Sequence, residues 1–233
     1  MKNLFKQNAV FLTLSLILLI VLGLALLGLD KGELHLLLCD RHTPARDIFY
    51  RYYTQVAEWF PYVVCVCLLL FGRLGDGVFA SSAMIGSALT TQLFKNIVNA
   101  PRPLKWFELH HPDIQLPLTP GVDVHSWFSF PSGHTTSFFA LALVVCILLT
   151  NKLSTLNSWL LTLDSKLSTT IAQLTLFVLA LLGGYSRIYL SQHFSADVFA
   201  GIVVGILITI VCYAIFMRFE DIKWYNLRLF AKK

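Results

Sequence analysis

Six side chains, at Lys95, Arg102, His134, Arg187, His193 and Asp197, carry most of the chemical potential of this 233-residue chain. They fall in three short stretches: KNIVNAPRP from Lys95, PSGH ending at His134, and SRIYLSQHFSAD, which opens on Ser186 and ends at Asp197. An arginine presents five N–H donors in a planar fork that matches two phosphate oxygens, and a lysine presents a compact ammonium. Ser132 and Gly133 stand just ahead of a long apolar run. A helix starting there aims free backbone N–H groups and the positive end of its dipole at an anion. Gly133 has no side chain to hold an oxyanion away. A cradle for a phosphoryl group is the chemistry these residues share. The two histidines go beyond what binding requires, because one can attack phosphorus while the other protonates the departing oxygen. Asp197, four residues after His193, can accept an N–H from that ring, which fixes its tautomer and raises its nucleophilicity.

Each stretch alone has a plainer account. Lys95 near a helix end can snorkel to headgroups. Pro-Ser-Gly before an apolar run is an ordinary helix start with Ser132 or Thr135 as cap. His193 and Asp197 at helical spacing form local hydrogen bonds in many proteins. The joint pattern resists that account. A charge at mid-membrane costs about 2.5–3.5 kcal/mol on insertion scales, and here two arginines, a lysine, two histidines and an aspartate gather on one rim.

The rim exists because the chain reads as membrane-embedded. Hydrophobic residues make up 56% of it and charged residues only 13%, against roughly a quarter charged in soluble domains, and the mean hydropathy is +0.69. A spanning helix needs about 20 mostly apolar residues. Six stretches approach that: 8–29, 58–71, 77–98, 135–150, 169–185 and 196–217. The first has no small-residue cleavage site after it and reads as a retained span. The second is short and can begin before Trp59. The expected architecture is all-α: a polytopic bundle of six transmembrane helices forming a single domain over residues 1–233, with an outward cap loop over 104–130. Parity then does the work. The third span ends near Lys95, the fourth starts after His134, the fifth ends at Ser186 and the sixth begins around His193, so the three stretches meet at one membrane surface.

Lysines and arginines set the orientation. Lys2, Lys6, Arg73, Lys152, Lys166, Arg218, Lys223, Arg228, Lys232 and Lys233 fall on the side of the termini, which reads as cytoplasmic. Lys31, Arg41, Arg46, Arg51 and Lys105 fall on the other side with the motif cations, the first arginines sharing a longer loop with acids. The expectation is a multi-pass inner (cytoplasmic) membrane protein whose site faces the periplasm or cell exterior. Within the 101–131 stretch, Pro103, Pro112, Pro117 and Pro120 forbid a long helix, and Trp106, Phe107 and Trp127 suit the headgroup interface. Five cysteines, all but Cys39 in apolar runs, read as small core residues. The net charge of +5 comes with no basic stripe interleaved with aromatics, so nucleic acid is not an expected partner.

Taken in order, Lys95 with Arg102-Pro103, then Pro131-Ser132-Gly133-His134, then Ser186-Arg187 with His193 and Asp197, resemble the three-part signature of the type 2 phosphatidic acid phosphatase family. That family includes vanadium haloperoxidases and undecaprenyl-pyrophosphate phosphatases. The match covers the central and C-terminal chain and shows no departure within the motifs. The resemblance implies a nucleophilic His193 that forms a phosphohistidine, Asp197 to orient it, and His134 as general acid. Lys95, Arg102, Ser132, Gly133 and Arg187 would hold the phosphoryl oxygens. The resemblance implies a phosphatase that works without a metal, so no cofactor is expected, and no carboxylate cluster accompanies the motifs here; His110, His111, Asp113 and His125 match no common metal spacing.

The expected function is therefore a lipid phosphate or pyrophosphate phosphatase, with a phospholipid or polyprenyl-phosphate substrate. Undecaprenyl pyrophosphate ranks first and lipid A next, followed by phosphatidylglycerophosphate and phosphatidic acid. A phosphotransferase would use the same residues, and a transporter or receptor could bind anionic lipid through the same rim, although paired histidines with Asp197 go beyond binding. The spans exclude a soluble haloperoxidase. Nothing in the sequence fixes an oligomeric state.

Overall fold

A computed structural model describes residues 2–40, 42–156 and 165–230. Arg41, Lys232 and Lys233, used above for orientation, lie outside the described residues. In chain order the helices are α1 (Lys2–Gln7), α2 (Ala9–Gly28), α3 (Lys31–Cys39), α4 (Pro44–Phe71), α5 (Leu74–Val98), α6 (Pro103–His110), α7 (Gly133–Leu156), α8 (Ser165–Tyr189) and α9 (Ser195–Phe216), followed by a 3₁₀ turn at Met217–Phe219. No strand occurs among the described residues, as the all-α expectation requires.

Among the described residues, five helices are long and apolar enough to cross a membrane: Ala9–Gly28, Pro44–Phe71, Gly133–Asn151, Lys166–Tyr189 and Ser195–Phe219. The expected count of six is not met by that criterion, because the 77–98 stretch lies in α5, which is long enough but not apolar enough. The cause is visible in its packing. The face α5 turns inward carries Ala80, Ala83, Ser87 and Thr91, small residues that let helices approach closely but contribute little hydropathy. Its outward positions such as Ile85, Leu89 and Leu93 are exposed and apolar.

The helix at the centre is α7. Its spanning segment is 72% buried within the protein, against 11% for α2. It is packed by α4, α5, α8 and α9, and its buried residues Phe139, Ala140, Leu143, Val144 and Ile147 form the middle of the hydrophobic core. At its start, α9 lies unusually close. A Cβ at Gly201 would stand 2.8 Å from the Ser132 carbonyl oxygen, and one at Gly205 would stand 2.6 Å from that of Thr136. The absence of side chains there lets the Ser132 N–H donate to the Asp197 carbonyl at 3.0 Å, so the helix start and the first turn of α9 are joined backbone to backbone.

The expected second span extends well ahead of its apolar stretch, as its shortness allowed. The second span does not begin near residue 58; α4 starts at Pro44 and runs 28 residues, about 42 Å at 1.5 Å per residue. Thr43 caps it by accepting the Arg46 N–H at 3.3 Å, Pro44 occupies the first turn, and Asp47 complements the dipole. Arg46 and Arg51, read from sequence as loop residues, are helical. The cap holds the short helix α6 and is tied down by backbone bonds from Arg102 N–H to the Ser126 carbonyl and from Ser129 N–H to that of Ala100. Cys39, Cys65 and Cys146 are buried and Cys212 partly so, whereas Cys67 is exposed and is not a core residue.

Candidate active site

Lys95, Arg102, His134, Arg187 and His193 line one polar cavity of about 370 Å³, together with Arg51, Thr54, Gln55, Glu58, Gly121, Val122, Asp123, His125 and Gln192. Stretches far apart in sequence meet here because α5 and α8 end, and α7 and α9 begin, at the same end of the bundle.

His193 sits in the turn between α8 and α9, ahead of the helix rather than on its face. The turn is closed by the end of α8: the N–H groups of Gln192 and His193 both donate to the Arg187 carbonyl at 3.0 Å, and Ser191 takes a left-handed φ of 50°. That geometry explains why Arg187 and His193 need five residues between them. Asp197, in the first turn of α9, places Oδ2 3.4 Å from His193 Nδ1. The same oxygen accepts the Phe194 N–H at 2.9 Å and the Ser129 hydroxyl. With Nδ1 turned to Asp197, the ring's Nε2 is the nitrogen left for the cavity. Burial holds the His193 imidazolium well below its ordinary range, at about 3, with Asp197 pulling the other way, so the ring is neutral and its lone pair available at neutral pH.

The cations are anchored individually. Arg102 donates from Nε to the Trp127 carbonyl at 3.0 Å and from Nη1 to Gln192 Oε1 at 2.8 Å. It is buried, and burial lowers its pKa. Arg187 donates from Nη1 to the Thr54 hydroxyl at 2.6 Å. Its buried Nε has no hydrogen-bond partner among the described residues. Lys95 lies in the last turn of α5, where the helix dipole favours a cation. His134, second residue of α7, has Nε2 3.1 Å from Glu58 Oε1.

Ser132 and Gly133 do not line the cavity. Ser132 is fully buried and caps α7, its hydroxyl accepting from that of Thr135 at 2.9 Å. Gly133 opens the helix, and a Cβ on it would lie 3.6 Å from Thr91. Ser186 turns back onto the Gly183 carbonyl at 2.6 Å and takes no part in the cavity. In the cap, His110 Nδ1 faces the Trp106 carbonyl at 2.8 Å, and no three His, Cys, Asp or Glu side chains gather as metal ligands among the described residues.

Sequence reasoning missed Ser129, Gln192, Thr54 and Glu58. Ser129 lies three residues before Ser132, and Gln192 directly before His193, so proximity to a motif was the only signal for either. Thr54 and Glu58 had none, since both belong to the part of α4 that straddles the expected start of the span.

A second, larger cavity of about 520 Å³ lies between α4, α7 and α8, lined by apolar residues that include Ala57, Pro61, Phe138, Leu141, Val145 and Leu149. It begins one helical turn beyond His134 along α7 and shares α4 with the polar cavity.

Comparison with known proteins follows the same lines. The model of the PAP2 superfamily matches residues 76–221, which include every motif residue named above. The lipid A 4′-phosphatase of Porphyromonas gingivalis is 26% identical over 179 residues, 75% of this chain and 67% of that protein. The crystal structure of Aquifex aeolicus LpxE is similar with a TM-score of 0.58 and 25% identity, over 78% of this chain and 93% of that one. The transmembrane PAP2-type phosphatidylglycerolphosphate phosphatase of Bacillus subtilis is similar in fold, with a TM-score of 0.59 and 20% identity over 94% and 100%.

Proposed function

The chain belongs to the PAP2 superfamily and is a membrane phosphatase, and from that premise we propose that it removes a phosphoryl group from a membrane lipid through a phosphohistidine at His193. The observation that carries this reading is the pairing of a neutral, Asp197-held imidazole with a second histidine and three cations around one cavity. His193 Nε2 attacks phosphorus, the bond to the leaving oxygen breaks, and His134 gives that oxygen its proton. Water then attacks the phosphohistidine, His134 takes the proton back, and inorganic phosphate departs. Lys95, Arg102 and Arg187 stabilise the charge on the equatorial oxygens. Arg187 Nε, buried and unpartnered, is a donor suited to that task, since an unpaired buried N–H is costly until a ligand oxygen accepts it. Ser132 and Gly133 contribute through the start of α7 rather than through side chains.

The apolar cavity supports a lipid substrate, because a chain leaving the polar site along α7 meets Phe138, Leu141 and Val145 in succession. The relatives move lipid A ahead of undecaprenyl pyrophosphate in the order of candidates. We place the site on the outer face of the inner membrane: the C-terminal tail packs on the start of α5, at the end of the bundle opposite the cavity, where Arg73, Arg218, Lys223 and Arg228 cluster, as the positive-inside rule requires of a cytoplasmic face.

The test is phosphate release by purified protein from lipid A, undecaprenyl pyrophosphate, phosphatidylglycerophosphate and phosphatidic acid. His193→Ala is expected to abolish release while remaining folded, and vanadate to inhibit the wild type. Full activity in His193→Ala would remove the proposed nucleophile.

A further inference from the structure

A carboxylate stands inside the cationic cavity. Glu58 reaches across from α4 to place Oε1 3.1 Å from His134 Nε2. The Glu58 side chain is 59% exposed and that of His134 25%, so the pair lies towards the open side of the cavity. Arg102 is held at the His193 turn through Gln192, while the Arg187 guanidinium is bonded to Thr54, one turn before Glu58 on α4. The cavity wall also carries Gln55, Asp123, His125 and Arg51, and Arg51, which keeps its charge, donates an N–H to the Pro120 carbonyl at 3.2 Å. Glu58 is thus a carboxylate set directly against His134 in a cavity otherwise rich in cations.

From this placement, and resting on the phosphatase reading above, we infer that Glu58 is a specificity-determining residue that selects phosphate monoesters over diphosphates. The leaving oxygen must come to His134, and so to within a few ångströms of the Glu58 carboxylate. If the leaving group is an alcohol, that neighbourhood is hospitable: the ester oxygen carries no charge, and hydroxyl or amide groups beside it can donate to Glu58. If the leaving group is itself a phosphate, a second anion is pressed against a carboxylate, and like charges brought together are a strong discriminating element.

The chemistry of departure adds to the bias. When the phosphorus–oxygen bond breaks, its electron pair goes to the leaving oxygen. An alkoxide needs the His134 proton at that moment, whereas a departing phosphate, with a second pKa of about 6, does not. A carboxylate 3.1 Å from His134 Nε2 thus opposes a phosphate leaving group without opposing an alcohol.

The test compares kcat/KM of the full chain, in one detergent, on lipid A and phosphatidic acid as monoesters and undecaprenyl pyrophosphate as diphosphate. The wild type is expected to favour the monoesters. Glu58→Gln, nearly isosteric, is expected to move the monoester-to-diphosphate ratio by about tenfold or more towards the diphosphate, and Glu58→Asp, which keeps the charge, to keep the bias. A ratio in Glu58→Gln within twofold of the wild type, or a wild type that prefers the diphosphate, overturns the assignment and leaves the phosphatase reading intact. A wild type that releases phosphate from none of the three overturns both.

Discussion

Replacing Gly201 by alanine tests whether helix packing sets the distance between the two histidines. The added Cβ would fall 2.8 Å from the Ser132 carbonyl oxygen and 3.0 Å from Thr135 Cβ, where ordinary contact begins at 3.4 Å. The obstacle is backbone on one side, so α7 and α9 must separate by roughly 0.6 Å, the difference between 3.4 and 2.8. Ser132 directly precedes Gly133 and His134, and its N–H bonds the Asp197 carbonyl. The displacement therefore moves His134 relative to the His193–Asp197 pair. Misplacement of reacting groups by about 1 Å can cost 10²-fold in rate, and half of that shift is expected to cost about tenfold in kcat. Stability should change less: overpacking costs about 1–3 kcal/mol, and alanine recovers up to about 1 kcal/mol over glycine in a helix. The assay is phosphate release under saturating lipid, with thermal unfolding in the same detergent. Gly23→Ala, whose Cβ meets only the Phe199 ring at 3.7 Å, is the control and should behave as wild type. Turnover in Gly201→Ala within twofold of the wild type would refute the reasoning. So would equal losses in the control.

Arg102→Lys should lower kcat/KM by about 10²-fold, as loss of one transition-state donor does, because one ammonium cannot hold Trp127 and Gln192 in the guanidinium's directions and still face phosphate; kinetics approaching wild type would contradict this. His35 of α3 is buried, and burial holds its pKa down to about 4, with Asp197 opposing. The unfolded ring takes up a proton as pH falls through 6.5 and the folded ring does not, so stability is lost between pH 6.5 and about 4, by on the order of 3 kcal/mol when complete. Thermal midpoints from pH 7 to 4.5 should show a shallower decline in His35→Gln than in the wild type, and identical slopes would exclude His35 as the cause.

Those parts of the site that sequence made legible are the ones built by local geometry. The five residues between Arg187 and His193 are the span of one α8 C-terminal turn, and the four-residue step to Asp197 is what brings a carboxylate from the first turn of α9 back to the His193 ring. Both are properties of adjacent chain, so spacing reports them. The unread residues act across the fold: Glu58 meets His134 from 76 residues away, Thr54 meets Arg187 from 133, and Ser129 meets Asp197 from 68. No short pattern encodes such pairs; only the packing of α4 and the cap against α7, α8 and α9 creates them.

The two departures in helix reading share a physical origin. Hydropathy measures how a residue fares against lipid, and both α5 and the first half of α4 face something else. α5 turns Ala80, Ala83, Ser87 and Thr91 onto its neighbours, so its average apolarity falls although it is 25 residues long. α4 turns Arg51, Thr54, Gln55 and Glu58 into the polar cavity and, on the face next to it, Ala57, Pro61 and Val64 into the apolar one. A helix that walls both cavities must look half polar in sequence, and the place where its hydropathy changes, at Glu58, is also where it meets His134. The apparent start of the second span was thus the position of the polar cavity along α4, written in the one property that a search for membrane helices discards.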